Sequence, residues 1–133
     1  MKINNNPESY CKAGLTFPCE AVEFLRNQSN RGNIFNQYGW GGYLIWKLPE
    51  YGVFIDGRMS AWLSSDGRSP VAVYEEIMRG DSGWQQVLEN ADIDWVLVKS
   101  TSAMAARFQI SPDPGWQEAW RNKTAVVYKR AAL

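Results

Sequence analysis

The stretch NIFNQYGWGGYLIWKLPEYGVFIDGRM, residues 33–59, decides the fold, because it reads as strand, helix and strand in succession. Its short apolar runs are Asn33 to Asn36, Tyr43 to Leu48 and Val53 to Asp56. The middle run has the length of a short helix and is stopped by Pro49, whereas the outer two are short enough for strands. Two strands joined by such a crossover run parallel. Ligands of parallel sheets bind beyond the carboxyl ends of the strands.

Polar and charged residues stand where both strands are expected to end. Asn36 and Tyr38 follow the first strand, and Asp56 and Arg58 follow the second. Since neighbouring strands lie ~4.8 Å apart, these four side chains should cluster. They are candidates for contact with a ligand or at an interface. Asp56 and Arg58 can also pair with each other across the intervening turn, and for these two the structural interpretation is the favoured one.

Three glycines, Gly39, Gly41 and Gly42, lie between the first strand and the helix. Backbone N–H groups in such a position can cradle an anion. The dinucleotide-binding fingerprint, however, needs a third glycine three residues after the second, and this spacing is absent. We expect instead that the glycines let the helix approach the sheet closely, with Trp40 and Trp46 filling the space around them.

The rest of the chain also divides into helices and strands. Helices are predicted at Pro18 to about Asn27, at Ser69 to Gly80 with Ser69 as N-cap, at Ser82 to about Asn90, and through Arg107 with Ser100 or Thr101 as N-cap. Strands are predicted at Trp95 to Val98, Trp116 to Trp120 and Thr124 to Lys129. The last two strands should form an antiparallel hairpin at a sheet edge.

These elements predict an α/β fold, namely a three-layer sandwich with a small, Rossmann-like, mostly parallel sheet and a C-terminal antiparallel hairpin. Right-handed crossovers would place helices on both faces of the sheet. Residues 1–16 read as an irregular leader, and residues 17–133 as a single α/β domain. A chain of 133 residues is long enough for one hydrophobic core.

The composition excludes several classes of function. Fourteen basic and fourteen acidic side chains cancel, so no net charge attracts the chain to nucleic acid. The chain has no histidine and two cysteines, too few ligands for a structural zinc site, and histidine-based catalytic triads cannot be built. We therefore expect no catalytic residue, no metal and no cofactor in this chain.

The two cysteines, Cys11 and Cys19, are close enough in sequence to close a small loop, and a disulfide between them is possible outside the cytoplasm. Their spacing alone does not decide whether the two cysteines form a disulfide. The favoured interpretation is that Cys19 is a small buried residue at a helix start and Cys11 a free thiol in the leader.

Aromatic residues are frequent, with seven tryptophans and six tyrosines. Such side chains can stack on sugar rings or lie at a lipid interface. Core packing explains most of them, since Trp84 and Trp95 fall on faces assigned to the core. Trp62, in contrast, lies in a loop with no element to bury it. It is the candidate aromatic contact to a ligand, a lipid or the rest of a parent protein.

The amino-acid sequence of the central stretch resembles that of a known group of proteins. FNQYGWGGYLIW and VFIDGRM, with the flanking FPCEAVEFL, resemble a segment near the carboxyl end of large polytopic bacterial membrane proteins. The resemblance covers roughly residues 17 to 130. Many of these proteins are similar to integral-membrane (GT-C type) glycosyltransferases that use lipid-phosphate sugars and are related to the protein mannosyltransferases.

The resemblance implies a soluble domain on the extracytoplasmic, periplasmic side of a bacterial cell membrane. Its partner would be the membrane-embedded part of the same parent chain, and it would help to hold sugar or lipid-linked sugar over the active site. The catalytic acidic residues of that class lie in loops among membrane helices, and no position here matches them. The longest apolar stretch, Tyr43 to Trp46, is far below the ~20 residues of a membrane helix, so the membrane segments would lie outside this sequence.

The alternative is a stand-alone, Rossmann-like domain that binds a nucleotide or another small molecule. Its supporting feature is the glycine-rich segment Tyr38 to Gly42 between strand and helix.

Overall fold

The computed structural model describes residue 11 and residues 17–55 and 69–131. The helices are α1 (Cys19–Arg26), α2 (Gly41–Lys47), α3 (Pro70–Arg79), α4 (Trp84–Asn90) and α5 (Ala103–Ile110). The strands are β1 (Asn33–Asn36), β2 (Gly52–Val53), β3 (Trp95–Lys99), β4 (Trp116–Arg121) and β5 (Ala125–Arg130). A 3₁₀ turn, Tyr38–Trp40, leads from β1 into α2.

The strands form one mixed sheet in the order β2-β1-β3-β5-β4. β1 pairs in parallel with both β2 and β3. β5 runs antiparallel to β3 and to β4, so that β4 forms one edge. The expected three parallel strands and terminal antiparallel hairpin are therefore confirmed. The Rossmann-like character stays a prediction.

Helices cover both faces of this sheet. Side chains alternate along the strands: Phe35, Val96 and Val126 pack on the face covered by α3, α4 and α5. Ile34 and Leu97 pack on the other face, under α1 and α2. This period of two is the strand geometry that splits one run of apolar residues between two cores. The crossover through α2 leads outward to β2, and the crossover through α3 and α4 returns over the opposite face to β3.

Strand β2 is shorter than predicted, and its continuation is held by a side chain. The expected strand from Val53 to Asp56 is reduced to Gly52–Val53. The Phe54 N–H still donates to the Ile34 carbonyl at 3.0 Å. Beyond it, the backbone of Ile55 bonds to the amide of Asn36 instead of to a strand. Where the main-chain pairing of β2 ends, the Asn36 side chain thus supplies the hydrogen bonds that a neighbouring strand would otherwise give.

The capping residue of α3 is the predicted one, whereas that of α5 is not. Ser69 Oγ accepts from the Ala72 N–H at 3.1 Å. For α5 the cap is Ser102, whose Oγ accepts from the Ala105 N–H at 3.1 Å, and not Ser100 or Thr101. The helix also runs on to Ile110 instead of ending at Arg107.

The favoured interpretation of the cysteines as free thiols is wrong. Cys11 and Cys19 form a disulfide, with their Cα atoms 6.2 Å apart. This separation lies within the range that a disulfide spans without backbone movement. Cys19 is the first residue of α1, so the bond ties the leader to that helix.

Candidate functional site

The carboxyl ends of β1 and β3 and the β4–β5 turn lie at one edge of the sheet, which we call the carboxyl edge. Strand β3 ends at Lys99, directly opposite Ala125 at the start of β5. The Ser100 hydroxyl donates to the Lys123 carbonyl at 2.6 Å, which ties the β3 end to the hairpin turn. This edge is where the sequence places the candidate residues.

Asn36 is fully buried at this edge, and its amide is committed to the protein. Its Nδ2 donates to the carbonyl of Ile55 at 2.8 Å and to that of Gln37 at 3.0 Å. Its Oδ1 accepts from the Ile55 N–H at 3.1 Å. The side chain therefore imitates a strand neighbour for Ile55. Contact between Asn36 and a ligand stays a prediction, and its present hydrogen bonds are structural.

Gln37 closes the gap between β1 and β3, although the sequence analysis did not single it out. Its N–H donates to the Leu97 carbonyl at 3.0 Å, and its Oε1 accepts from the Lys99 N–H at 2.9 Å. The crossover after β1 leads to β2 on one side of it, and the crossover after β2 leads to β3 on the other side. This gap is therefore the topological switch point, where open α/β sheets hold ligands. Here a protein side chain bridges it. The sequence signal for this role is the position of Gln37, one residue beyond the predicted strand.

Tyr74, on α3, supplies a second contact that the sequence analysis missed. Its hydroxyl accepts from the Tyr38 N–H at 3.0 Å and lies 3.5 Å from Gln37 Nε2. Its ring stacks on Phe35, with centroids 5.5 Å apart. Burial raises the pKa of Tyr74 above its usual value of 10.0. The hydroxyl is therefore neutral near pH 7 and acts as a hydrogen-bonding group that fixes the start of the 3₁₀ turn.

Tyr38 is the predicted site residue with an accessible side chain at this edge. Its side chain is 38% exposed, and its ring meets the Tyr74 ring edge-on at 6.0 Å. Asp56, Arg58 and Trp62 lie outside the described residues, so their clustering with Asn36 and Tyr38 stays a prediction.

The expected role of the glycines is wrong at two of three positions. A Cβ added at Gly39 or at Gly42 would meet no atom within 4 Å, so neither allows a close approach to the sheet. Gly41 is buried at the start of α2, where the expected role remains open. Trp40 is buried as expected, but Trp46 is 63% exposed and does not fill space around the glycines.

The outward side of α2 is apolar, a feature that the sequence analysis did not predict. Tyr43 and Leu44 point into the core. Gly42, Ile45 and Trp46, spaced i, i+3 and i+4, share the opposite side and are exposed. The sequence could have identified this exposed side: once Tyr43 and Leu44 are assigned to the core, the helical period places Gly42, Ile45 and Trp46 on the other side of the helix.

A shallow groove of about 810 Å³ runs along the exposed side of α1. Phe17, Phe24, Tyr43 and Trp120 contribute aromatic rings, and Glu20 and Asn122 contribute polar groups. The Phe24 and Trp120 rings are stacked with centroids 6.3 Å apart. The groove is open to solvent, and Asn122 uses its Oδ1 to bond the backbone of Thr124 and Ala125 within the hairpin turn.

The part of the chain that the structure describes offers little for metal chemistry. Within residues 17–55 and 69–131, together with Cys11, no group of three or more His, Cys, Asp or Glu side chains is placed to hold a metal ion. Among the same residues, no helix has the length and apolar character needed to cross a membrane.

Comparison with known proteins gives a likeness of fold. No family model matches the chain, and no curated protein matches its sequence. Among solved structures, the C-terminal globular domain of an oligosaccharyltransferase from Archaeoglobus fulgidus is similar, with a TM-score of 0.60 and 4% sequence identity. The likeness covers 84% of this chain and 95% of that one. At this identity it concerns the fold alone.

Proposed function

We propose that this chain is the extracytoplasmic domain of a polytopic bacterial membrane protein, a glycosyltransferase that uses lipid-phosphate sugars. The observation that carries the proposal is the likeness in fold to a globular domain of an oligosaccharyltransferase, which spans nearly all of both chains. It agrees with the resemblance carried by FNQYGWGGYLIW and VFIDGRM. One line of support rests on backbone geometry and the other on residue identity.

The disulfide supports the extracytoplasmic location. Disulfides persist in oxidising compartments and are rare in the cytosol, where thiols are kept reduced. The bond between Cys11 and Cys19 joins the leader to the first helix of the domain. A domain on the periplasmic side of a membrane meets the oxidising conditions that such a bond needs.

The role we propose is to pack over the active site of the membrane-embedded part and to help hold the sugar or the lipid-linked sugar. The isolated domain has no catalytic role in this proposal. The polar groups described at the carboxyl edge serve the fold: Asn36 bonds Ile55, and Gln37 bonds Lys99. Tyr38 offers an accessible aromatic ring at that edge. With Asp56, Arg58 and Trp62 it completes the proposed contact set.

The test is sugar transfer by the parent protein that contains this chain. The purified parent is incubated with a lipid-phosphate sugar, and transfer is compared with that of a Tyr38→Ala variant and of a variant lacking the domain. We expect no transfer by the isolated domain and a loss of at least tenfold on domain removal. The Tyr38→Ala variant should lose transfer while its thermal unfolding is unchanged, since its side chain is partly exposed.

Two outcomes would contradict the proposal. One is a parent gene that encodes no membrane spans beside this domain. The other is a parent whose rate of sugar transfer is the same with and without the domain.

A further inference from the structure

Helix α2 is apolar on the side that faces away from the protein. A surface helix of a soluble domain normally carries polar and charged residues there. On α2 the outward positions are Gly42, Ile45 and Trp46. We call these three residues the outer face of α2. Trp46 is 63% exposed and Ile45 37%.

Basic groups border the outer face at its C-terminal end. The ammonium group of Lys47 lies 3.8 Å from the centre of the neighbouring indole ring. Arg26 pairs with Glu23 at 2.6 Å, and Arg31 pairs with Glu50 at 3.2 Å. Within the described residues Lys47 has no ion pair. Among the described residues, Lys47 is therefore a positive charge without an ion-pair partner beside an exposed tryptophan.

We propose that the outer face of α2 lies in the headgroup region of a lipid bilayer. The inference rests on the proposed function, because a domain attached to membrane helices is held close to that bilayer. Tryptophan and tyrosine are enriched at membrane interfaces, where the ring is buried and its polar edge stays hydrated. Lysine beside them attracts anionic headgroups. A helix of seven residues is too short to span the bilayer, so it lies along the surface.

A lipid surface suits this face better than a protein partner does. A stable protein interface buries ~800 Å² on each partner. The two large exposed side chains of this face, Ile45 and Trp46, cannot supply that area. Lipid contact has no such minimum area, because interfacial binding grows with each apolar side chain that enters the headgroup region and with each basic group near anionic lipid. The outer face would then fix how the domain is oriented on the membrane.

The test measures partition of the 133-residue chain onto lipid vesicles by co-sedimentation. The vesicles contain phosphatidylcholine and phosphatidylglycerol at about 3:1, and a parallel set contains phosphatidylcholine alone. We expect Trp46→Ala to lower the partition coefficient about tenfold on both sets, because it removes the main interfacial side chain. Lys47→Gln should lower partition on the anionic vesicles only.

The matched control is Ile110→Ala, which removes an exposed apolar side chain from α5. Ile110 is 84% exposed but lies on the helical layer that covers the other face of the sheet. Its removal should leave partition unchanged. Thermal unfolding of each variant verifies that it is folded, since all three positions are accessible to solvent.

The proposal is overturned if the wild-type chain does not partition onto either vesicle set, or if Trp46→Ala and Ile110→Ala affect partition equally. Binding of the chain to the solubilised membrane part of the parent alone, without vesicle binding, would assign the outer face to a protein partner instead. These results are separable from the proposed function: a parent that needs the domain for sugar transfer can still lack the lipid contact.

Discussion

Asn36 shows at the scale of single residues how a polar side chain is retained in a core. Its amide forms three hydrogen bonds, and all of them reach the backbone of Ile55 or Gln37. Asn36→Ala should lower the free energy of unfolding by ~2 to 4 kcal/mol, because it leaves the buried N–H and C=O of Ile55 without partners. Urea unfolding measures this change. The control Asn90→Ala, at an exposed position, should stay within ~0.5 kcal/mol of the wild type, and an equal effect of both variants would contradict the assignment.

Gly42, the exposed glycine of α2, is expected to lower the stability of the isolated domain. Gly42 is helical, and an added Cβ would meet nothing, so Gly42→Ala should raise stability by ~0.5 to 1 kcal/mol. Gly80→Ala is the contrasting variant. Gly80 has φ of 73°, and a Cβ there would lie 2.6 Å from Arg107 Nε, so this variant should be destabilised. Melting temperatures compare the two, and a destabilised Gly42→Ala would show that a close contact at this position has been missed.

Buried tyrosine hydroxyls make the domain sensitive to alkaline pH. Burial raises the pKa of Tyr74 and of Tyr128 above 10.0. A group whose pKa is higher in the folded state stabilises the fold below its unfolded pKa, and this contribution is lost as pH rises through the folded value. Stability should therefore fall above pH ~10. Tyr74→Phe should make urea unfolding curves less dependent on pH between about 9 and 11.5, and an unchanged dependence would contradict this origin.

The sequence predicted the positions of Asn36 and Tyr38 better than it predicted their contacts. Asn36 and Tyr38 do lie at the carboxyl end of β1, because hydrophobic runs fix strand ends. The partners of Asn36 could not be predicted, since β2 ends at Val53 and leaves Ile55 outside the strand. Gln37 and Tyr74 were missed for a related reason. Their roles depend on distances between β1, β3 and α3 that no local pattern encodes.

At the scale of elements, the N-cap of α5 illustrates the limit of local signals. Ser100, Thr101 and Ser102 all carry a hydroxyl that can cap a helix. Only tertiary structure selects among them: the hairpin engages Ser100, and Ser102 is left in extended geometry one residue before the helix. The cap therefore lies one or two residues later than predicted, although the helix itself was expected.

The cap can be tested with adjacent variants. Ser102→Ala should lower the free energy of unfolding by ~1 kcal/mol, because the Ala105 N–H loses its acceptor. Thr101→Ala, at an exposed position, should change it by less than ~0.5 kcal/mol. Chemical denaturation of both variants gives the comparison. A larger loss of stability in Thr101→Ala than in Ser102→Ala would instead indicate that Thr101, one of the two predicted residues, caps the helix.

At the scale of the whole molecule, the layer architecture followed from sequence, whereas the surface did not. Alternation along β1, β3 and β5 fixes two buried faces, and this requires helices on both sides. Which exposed residues meet a partner is not constrained by burial, so Trp46 was assigned to packing and is in fact exposed. The same limit applies to the cysteines, because spacing alone does not say whether two sulfur atoms meet.

The position of Gln37 at the topological switch point between β1 and β3 leads to a prediction about nucleotide binding by the whole chain. Gln37 accepts from the Lys99 N–H at the switch point, so this side chain lies where a nucleotide would bind and is already engaged in a hydrogen bond. A thermal-shift screen with nucleotides and S-adenosylmethionine should give no change in melting temperature. A ligand at a hundredfold excess over its dissociation constant would stabilise the fold by ~2.7 kcal/mol, which such a screen detects. A shift of that size with a nucleotide would favour the stand-alone binding domain instead.

The sulfur bridge between Cys11 and Cys19 also has a mechanical consequence. Tension that arrives along the polypeptide before Cys11 passes directly through a covalent bond to the first turn of α1. That helix is anchored by Ala21, Val22 and Leu25, all of them buried. A pull from this side is therefore delivered to a helix whose apolar face is buried in the core.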